Sequence, residues 1–560
     1  MSYERANEGA ADWATIDELS AAGMTDSSQH GFIFLGEEFR SKYVFGSAGE
    51  EHILTLAPPG TGKTAAVVIP SLLTNHGSIV ALDPKGALTA QTARFRRSLG
   101  QTVVVLNPWC AEIAKDLGQD LGDTSFNPLS ILDRDDPSLT DNAKLLSVMI
   151  CPTRHDANPT EKYFTKTAAT IISRVLVWLT LQSPEPPTLP QLFSMCRQAP
   201  DGWRDLAEKM NEAGLTDYAN EILDPIESEK QWAGITGTMQ EVTEIYEPGT
   251  NLGKHVSRSE FNLRDLKEKD ITVYIVIPSR HRKANREWLS LVMALCAEMV
   301  GTPGPSKRVT LIAEEFANIG YMPTITNALA EYREMGLRAH LIIQTAEHVH
   351  TLYGRTEATA LFKLCGIRQF FGIDDISEAQ RIEKALGTFP APSAQGTGFV
   401  AVPLMRAQDI LNMPKGMQIV LVRGSVRPIL GYLRPYYTIP GFIEITDPNP
   451  YRPTGDHRVQ PMVYEIPLQE IEPKLLAEKM TDDSIYFGIA LFVFWIIIQF
   501  VAPDFDIGPI LFMGGVLFFI FELFRAAFKN ETKWRDRRQA YEDQVTVIRE
   551  QSPQSPLSHN

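Results

Sequence analysis

The chain has 560 residues, too many for one hydrophobic core, so two or three domains are expected. Its formal charge of −15 gives no global pull toward nucleic acid, so any contact with a polyanion has to be local. Five scattered cysteines (Cys110, Cys151, Cys196, Cys296, Cys365) show no metal-ligand spacing and fit a reducing compartment rather than a disulfide framework.

Residues 1–30 are polar and acidic, without the apolar stretch of a secretory leader, and read as a loosely ordered tail. Gly31 to Gly36 and Tyr43 to Gly46 suggest a short hairpin. The apolar run Ile53 to Leu56 reads as a buried strand. It breaks at Pro58-Pro59-Gly60-Thr61-Gly62, where small residues let the backbone curl around an anion. Lys63 then supplies a point charge and Thr64 a hydroxyl for Mg²⁺, at the mouth of a helix beginning Ala65-Ala66-Val67. Backbone N–H groups and a helix N-terminus holding phosphates make a P-loop. Ala57 stands where the formal pattern has glycine, but Gly60, Gly62, Lys63 and Thr64 are in place. The predicted nucleotide-binding residues are therefore Pro59, Gly60, Thr61, Gly62, Lys63 and Thr64, with ATP and Mg²⁺ as the ligands.

Two further apolar strands, Ser78 to Leu82 and Thr102 to Leu106, point to a parallel sheet covered on both faces. Asp83 and Lys85 follow the first of them, where sites in such sheets collect, although an ordinary βα turn explains them equally well. From Asp141 to about Glu244 the pattern is helical throughout, with Phe164, Ala168, Ile171, Ile172, Val175 and Leu179 forming one amphipathic face. The reading is an all-α domain at 131–244 inserted into an α/β domain at 31–130 and 245–446. The sheet pattern resumes at Ile271 to Ile277.

Val309 to Ala313 is a buried strand ending in two carboxylates, Glu314 and Glu315. ATP hydrolysis needs an acid to hold Mg²⁺ and another to orient or deprotonate water. A strand end beside the P-loop strand delivers both, with Glu314 on the metal and Glu315 on the water. The next strand, Ala339 to Ile343, ends at Gln344, placed to sense the γ-phosphate or orient the water, or else a surface polar residue. Arg333 and Arg338 lie between the two strands. An arginine supplied across a subunit boundary stabilises transition-state charge, and Arg333, late on a predicted helix, is the better placed. The predicted catalytic set is Glu315, Gln344 and Arg333, with Thr64 and Glu314 on the metal.

Arg280-His-Arg-Lys283 with Arg286 is the best local basic cluster, either a phosphate-contacting pore loop or a solvated one. His348 and His350 lack a third ligand and are set aside as a metal site. Asp447 to Asp483 is a Pro-containing linker. Ser484 to Val501 and Ile507 to Phe524 are apolar runs of about 18 residues, barely enough to cross a core of about 30 Å. Arg525, Lys529, Lys533 and Arg535 beyond them, against Asp504 and Asp506 in the connecting loop, favour a spanning hairpin at 484–524 with both ends cytoplasmic. A re-entrant or buried hairpin is the alternative, and 525–560 reads as a cytoplasmic tail.

Taken together, Ala57–Thr64, Leu82-Asp-Pro-Lys-Gly86, Ser125-Phe-Asn-Pro-Leu129, Glu314-Glu-Phe-Ala-Asn-Ile-Gly320, Gln344 and Val422-Arg-Gly424 resemble the type IV secretion coupling proteins, the TraG-like conjugative DNA-transfer ATPases. The likeness runs from about Gly31 to Tyr437. It implies a RecA-like P-loop NTPase domain interrupted by an all-α domain, assembled as a hexameric ring on the bacterial inner membrane. Such a ring passes relaxase-bound single-stranded DNA to the proteins of a type IV secretion channel. The resemblance assigns Lys63 and Thr64 to phosphate and Mg²⁺, Glu315 to catalysis, Gln344 to sensing and Arg333 to the trans-acting arginine. The family usually has Asp at Glu314 and a transmembrane pair at its N-terminus, whose place the C-terminal hairpin takes here. Within the same likeness stand a receptor for protein effectors and an ATP-binding docking platform with little hydrolysis.

Overall fold

The computed structural model describes residues 11–304, 307–392, 399–424 and 426–451. The linker from residue 452, the apolar pair at 484–524 and the 525–560 tail lie outside the described residues.

The strands in chain order are β1 (Ile33–Glu38), β2 (Val44–Ser47), β3 (His52–Leu56), β4 (Ser78–Asp83), β5 (Thr102–Leu106), β6 (Ile271–Val276), β7 (Val309–Ala313), β8 (Leu337–Ile343), β9 (Cys365–Phe370), β10 (Thr388–Pro392), β11 (Phe399–Pro403), β12 (Met417–Val422) and β13 (Ile429–Tyr432). Eleven of them form one sheet in the order β2-β1-β13-β12-β9-β3-β8-β7-β4-β6-β5, while β10 and β11 pair separately. From β9 to β5 every neighbouring pair is parallel. From β9 outward to β2 every pair is antiparallel. The parallel strands are apolar on both faces because helices cover both. In β4, Ile79 and Ala81 join one core while Val80 and Leu82 join the other. β6 divides likewise, Tyr274 and Val276 against Val273 and Ile275.

The P-loop strand and the carboxylate strand are not the neighbours that the sequence suggested. β8 lies between them, with Leu56 opposite Ile343 and Ala313 opposite Leu341. The chain crosses from β3 over two positions to β4, then returns through β7 and β8, so the strand carrying Gln344 fills the gap.

Between β5 and β6 the regular elements are helical. The longest, Pro159–Gln182, starts with a reciprocal cap between Asn158 and Glu161 and has Pro at its first turn. It buries Ala168, Ile171, Ile172, Val175 and Leu176 among the helices Leu139–Ile150, Thr216–Ile226 and Glu229–Thr243. By length and composition it is the one helix among the described residues able to cross a membrane, but half of its apolar window is buried inside the protein. That is how a core helix behaves.

Residues 11–30 do not form a loose tail. Thr15 and Glu18 cap a short helix, Ile16–Ala21, and Ala14, Leu19 and Met24 pack against Ile33, Leu35, Phe45 and Val420 on the antiparallel extension. Six residues show no usable periodicity, and this helix owes its stability to docking rather than to propensity. At the other end, the helix Pro440–Ile445 leads to Asp447, which pairs with Arg94 at 2.7 Å. The Tyr451 hydroxyl then donates to the Lys85 carbonyl at 3.0 Å.

Candidate active site

The C-terminal ends of the parallel strands converge, as crevice sites in open α/β sheets do. β3 ends in the P-loop. Gly60 and Gly62 have φ of 76° and 86°, a left-handed backbone that glycine adopts without strain. The Thr61 hydroxyl donates to the Pro58 carbonyl at 2.7 Å. The Lys63 ammonium is buried and folded over the loop, donating to the carbonyls of Ala57 at 2.9 Å and Pro58 at 2.8 Å. Burial lowers its pKa, partly offset by the charges of Glu314 and Glu315. The first turn of the following helix, Thr64–Val68, is a π-turn, a widening that recurs at functional sites. β9 supplies the outer wall: a Cβ on Gly372 would lie 2.5 Å from Thr61 Cγ2.

β7 delivers the carboxylate pair. The Thr64 hydroxyl donates to Glu314 Oε1 in a short hydrogen bond, joining the P-loop to the carboxylate strand. Burial pushes the Glu314 carboxyl up to about 7; the Thr64 bond and Lys63 oppose this, and Asp83 and Glu315 reinforce it. Glu315 has φ 59° and is, with Lys42, one of two non-glycine residues at positive φ among the described residues. Backbone in that region is held there by its surroundings and concentrates at functional positions. Glu315 Oε2 accepts from Arg282 Nη1 at 2.5 Å and from Asn318 Nδ2 at 2.9 Å.

Gln344 is half-buried, one residue past the partner of Leu56, and so level with the start of the P-loop. The structure thus gathers Pro59 to Thr64, Glu314, Glu315 and Gln344 at adjoining strand ends. It does not bring Arg333 there. The preceding helix ends at Glu331, and Arg333 lies in the turn beyond it, paired with Glu51 at 3.3 Å. Glu51 precedes β3, so Arg333 stands at the other end of that strand, roughly 16 Å away along it.

Asp83 takes the structural option: its carboxylate accepts from the Thr89 N–H and hydroxyl, both at 2.8 Å, tying the end of β4 to the next helix. Lys85 is exposed. The basic cluster is largely neutralised by its own chain, with Arg280 and His281 on Glu112, Arg282 on Glu315 and Arg286 on Glu287. Arg282 is the site residue that sequence reasoning misplaced. Its position just past β6 in a parallel sheet was the available signal. No group of three metal-ligating side chains suited to a metal on its own occurs among the described residues. The Thr64 hydroxyl and the Glu314 carboxylate that it bonds nevertheless set two hard oxygen donors side by side at the mouth of the anion-cradling loop. Mg²⁺ shared with a polyphosphate fits there.

Several known proteins resemble this chain in sequence or in fold. The conjugal transfer protein TraG of Escherichia coli is 23% identical over 425 residues, covering 68% of this chain and 64% of that one. Protein VirD4 of Rhizobium rhizogenes is 24% identical over 453 residues, covering 75% and 64%. The chain thus spans less than two thirds of the length of these curated relatives. Among solved structures, the conjugative coupling protein TrwBdeltaN70 with sulphate superimposes with a TM-score of 0.58 at 14% identity, over 76% of this chain and 93% of that one. TrwB in complex with ADP and Mg²⁺ gives 0.53 at 17% identity, over 69% and 86%. These two are likenesses of fold. The family profile for type IV secretory system conjugative DNA transfer matches residues 12–449, and the chain belongs to that family.

Proposed function

We propose that the protein is an ATPase that drives relaxase-bound single-stranded DNA into a type IV secretion channel. The observation that carries the ATPase reading is the hydrogen bond from Thr64 to Glu314, which brings the P-loop and the carboxylate pair to one place. Lys63, freed from the Ala57 and Pro58 carbonyls, takes the β- and γ-phosphate oxygens of ATP. Thr64 and Glu314 hold Mg²⁺, which neutralises phosphate charge when bound. Glu315 orients the attacking water and accepts its proton, and Gln344 reads the γ-phosphate. The relative TrwB, solved with ADP and Mg²⁺, supports nucleotide binding at such a fold.

Arg333 is assigned to a neighbouring protomer's nucleotide in a hexameric ring. Its place away from its own chain's P-loop supports a role in trans over one in cis. Anchorage in the inner membrane is assigned to the apolar pair at 484–524, with the ATPase facing the cytoplasm. ATP hydrolysis with and without single-stranded DNA, for wild type and Glu315→Gln, tests the reading. Replacing Glu315 is expected to lower kcat by about 10²–10⁴-fold while nucleotide still binds. A wild type no faster than Glu315→Gln, with or without DNA, leaves no motor.

A further inference from the structure

The two oxygens of Glu315 are treated unequally. Oε2 takes both donors, Arg282 Nη1 at 2.5 Å and Asn318 Nδ2 at 2.9 Å. No hydrogen bond to Oε1 is found among the described residues. Asn318 is local, on the turn that Glu315 itself begins. Arg282 comes from far along the chain, on the short helix Ser279–Arg282 that follows β6. β6 is separated from β7 by β4, so the guanidinium reaches over the end of an intervening strand.

Its platform is tightly held. The His281 ring stacks on Trp109 with centroids 5.1 Å apart and planes 11° from parallel. His281 Nε2 contacts Glu112 at 2.9 Å, and Arg280 pairs with the same carboxylate. Asn285 Nδ2 donates to the His281 carbonyl at 2.9 Å, and Trp109 also meets Trp288 edge-on. The Arg282 and Glu315 side chains remain only 20% and 27% exposed. A long cation beside a ring fixed in this way delivers its charge to one point.

We infer that Arg282 is a positioning residue for Glu315. By pinning Oε2 from a fixed loop, it leaves Oε1 as the oxygen presented to the attacking water. It acts through the carboxylate and touches neither nucleotide nor water. The assignment rests on the ATPase reading above. A water held by a carboxylate free to swing is out of line for attack, and misplacement of about 1 Å costs on the order of 10²-fold in rate. Nucleotide binding, which falls to Lys63 and the P-loop amides, is left alone.

The test uses the full chain in detergent, with steady-state ATP hydrolysis and binding of a fluorescent ATP analogue measured for wild type, Arg282→Ala, Arg282→Lys and Glu315→Gln. Arg282→Ala is expected to lose about 10²-fold in kcat with analogue affinity within about twofold of wild type. Arg282→Lys keeps one cationic donor and is expected to recover about a tenth of the wild-type rate. Free guanidinium ion is expected to rescue Arg282→Ala and not Glu315→Gln. Arg282→Ala turning over at the wild-type rate, or losing analogue binding in step with turnover, overturns the positioning role alone. A wild type that binds nucleotide and never hydrolyses it overturns the ATPase reading, and this assignment with it.

Discussion

Two of the places where the sheet buries polar side chains treat them in opposite ways. Across its middle runs a neutral ladder. The Thr55 hydroxyl on β3 donates to Gln369 Oε1 on β9 at 2.7 Å and meets His340 Nε2 on β8 at 2.8 Å. Gln369 Nε2 donates to Gln418 Oε1 on β12 at 2.6 Å, and Gln418 Nε2 reaches the Leu35 carbonyl on β1 at 2.6 Å. Since the Thr55 hydroxyl is spent as a donor, His340 Nε2 carries the proton, leaving only its Nδ1 unpaired. Burial pushes His340 down to about 3, so the ladder is uncharged at neutral pH. Gly36 on β1 makes room for it, because a Cβ there would lie 2.1 Å from Gln418 Nε2. Just beyond the strand ends the ionisable groups Lys63, Glu314 and Glu315 are gathered, and burial opposes the charged forms of Lys63 and Glu314. The ladder pairs its members with one another, His340 Nδ1 apart, and ties strands together. The charged cluster is held against the preference of its surroundings, since burial disfavours the charged form of Glu314.

Breaking the ladder should have the largest effect on the fold. Gln369→Leu leaves Thr55 and Gln418 each short of a partner and takes one of two donors from the Leu35 carbonyl. It is expected to destabilise the chain by about 3–5 kcal/mol, read as a lower urea midpoint. The charged cluster should respond with the opposite sign. Glu314 in the folded chain holds its proton up to about 7, against 4.5 ordinarily. Folding therefore takes up a proton there, and stability falls as pH rises from 4.5 through 7. With a chelator present, Glu314→Gln is expected to be more stable than wild type at pH 8 by up to about 3 kcal/mol, and no more stable at pH 4. Mg²⁺ with ATP should reverse the order at pH 8, by stabilising the wild type more. A wild type already the more stable at pH 8 without ligand would erase the contrast between the two regions.

The smallest effect is expected at the N-terminal helix, which belongs to neither. Arg427 pairs with Glu18 at 2.8 Å, and its hydrogen bond holds that carboxyl down at about 2. Its contribution is present above pH 4.5 and is lost as pH falls toward 2. Both side chains are more than a third exposed, so Arg427→Gln should cost less than about 1 kcal/mol of thermal stability at pH 7, and less still in high salt.

This contrast also explains what could be read from the sequence. The P-loop is a contiguous stretch whose chemistry is local, and Glu314-Glu315 announces itself at the end of an apolar run. The ladder announces nothing. Cys365-Gly-Ile-Arg-Gln-Phe370 does not look like a central strand, because Arg368 and Gln369 interrupt its apolar character and only the partners on β3 and β12 make Gln369 acceptable there. β12 and β13 were missed along with it. The Arg282 to Glu315 contact depends on strand order, which periodicity does not encode. The position of β8 between β3 and β7 was hidden for the same reason.

The last described residues are pinned to the body of the protein at two points. Asp447 is clamped to Arg94 and Tyr451 to Lys85, so the polypeptide continues to residue 452 from beside the turn that closes β4. That turn carries Asp83, and β4 is the immediate neighbour of the strand bearing Glu314. The chain beyond residue 451 thus departs from the same end of the sheet as the P-loop, one strand from Glu314.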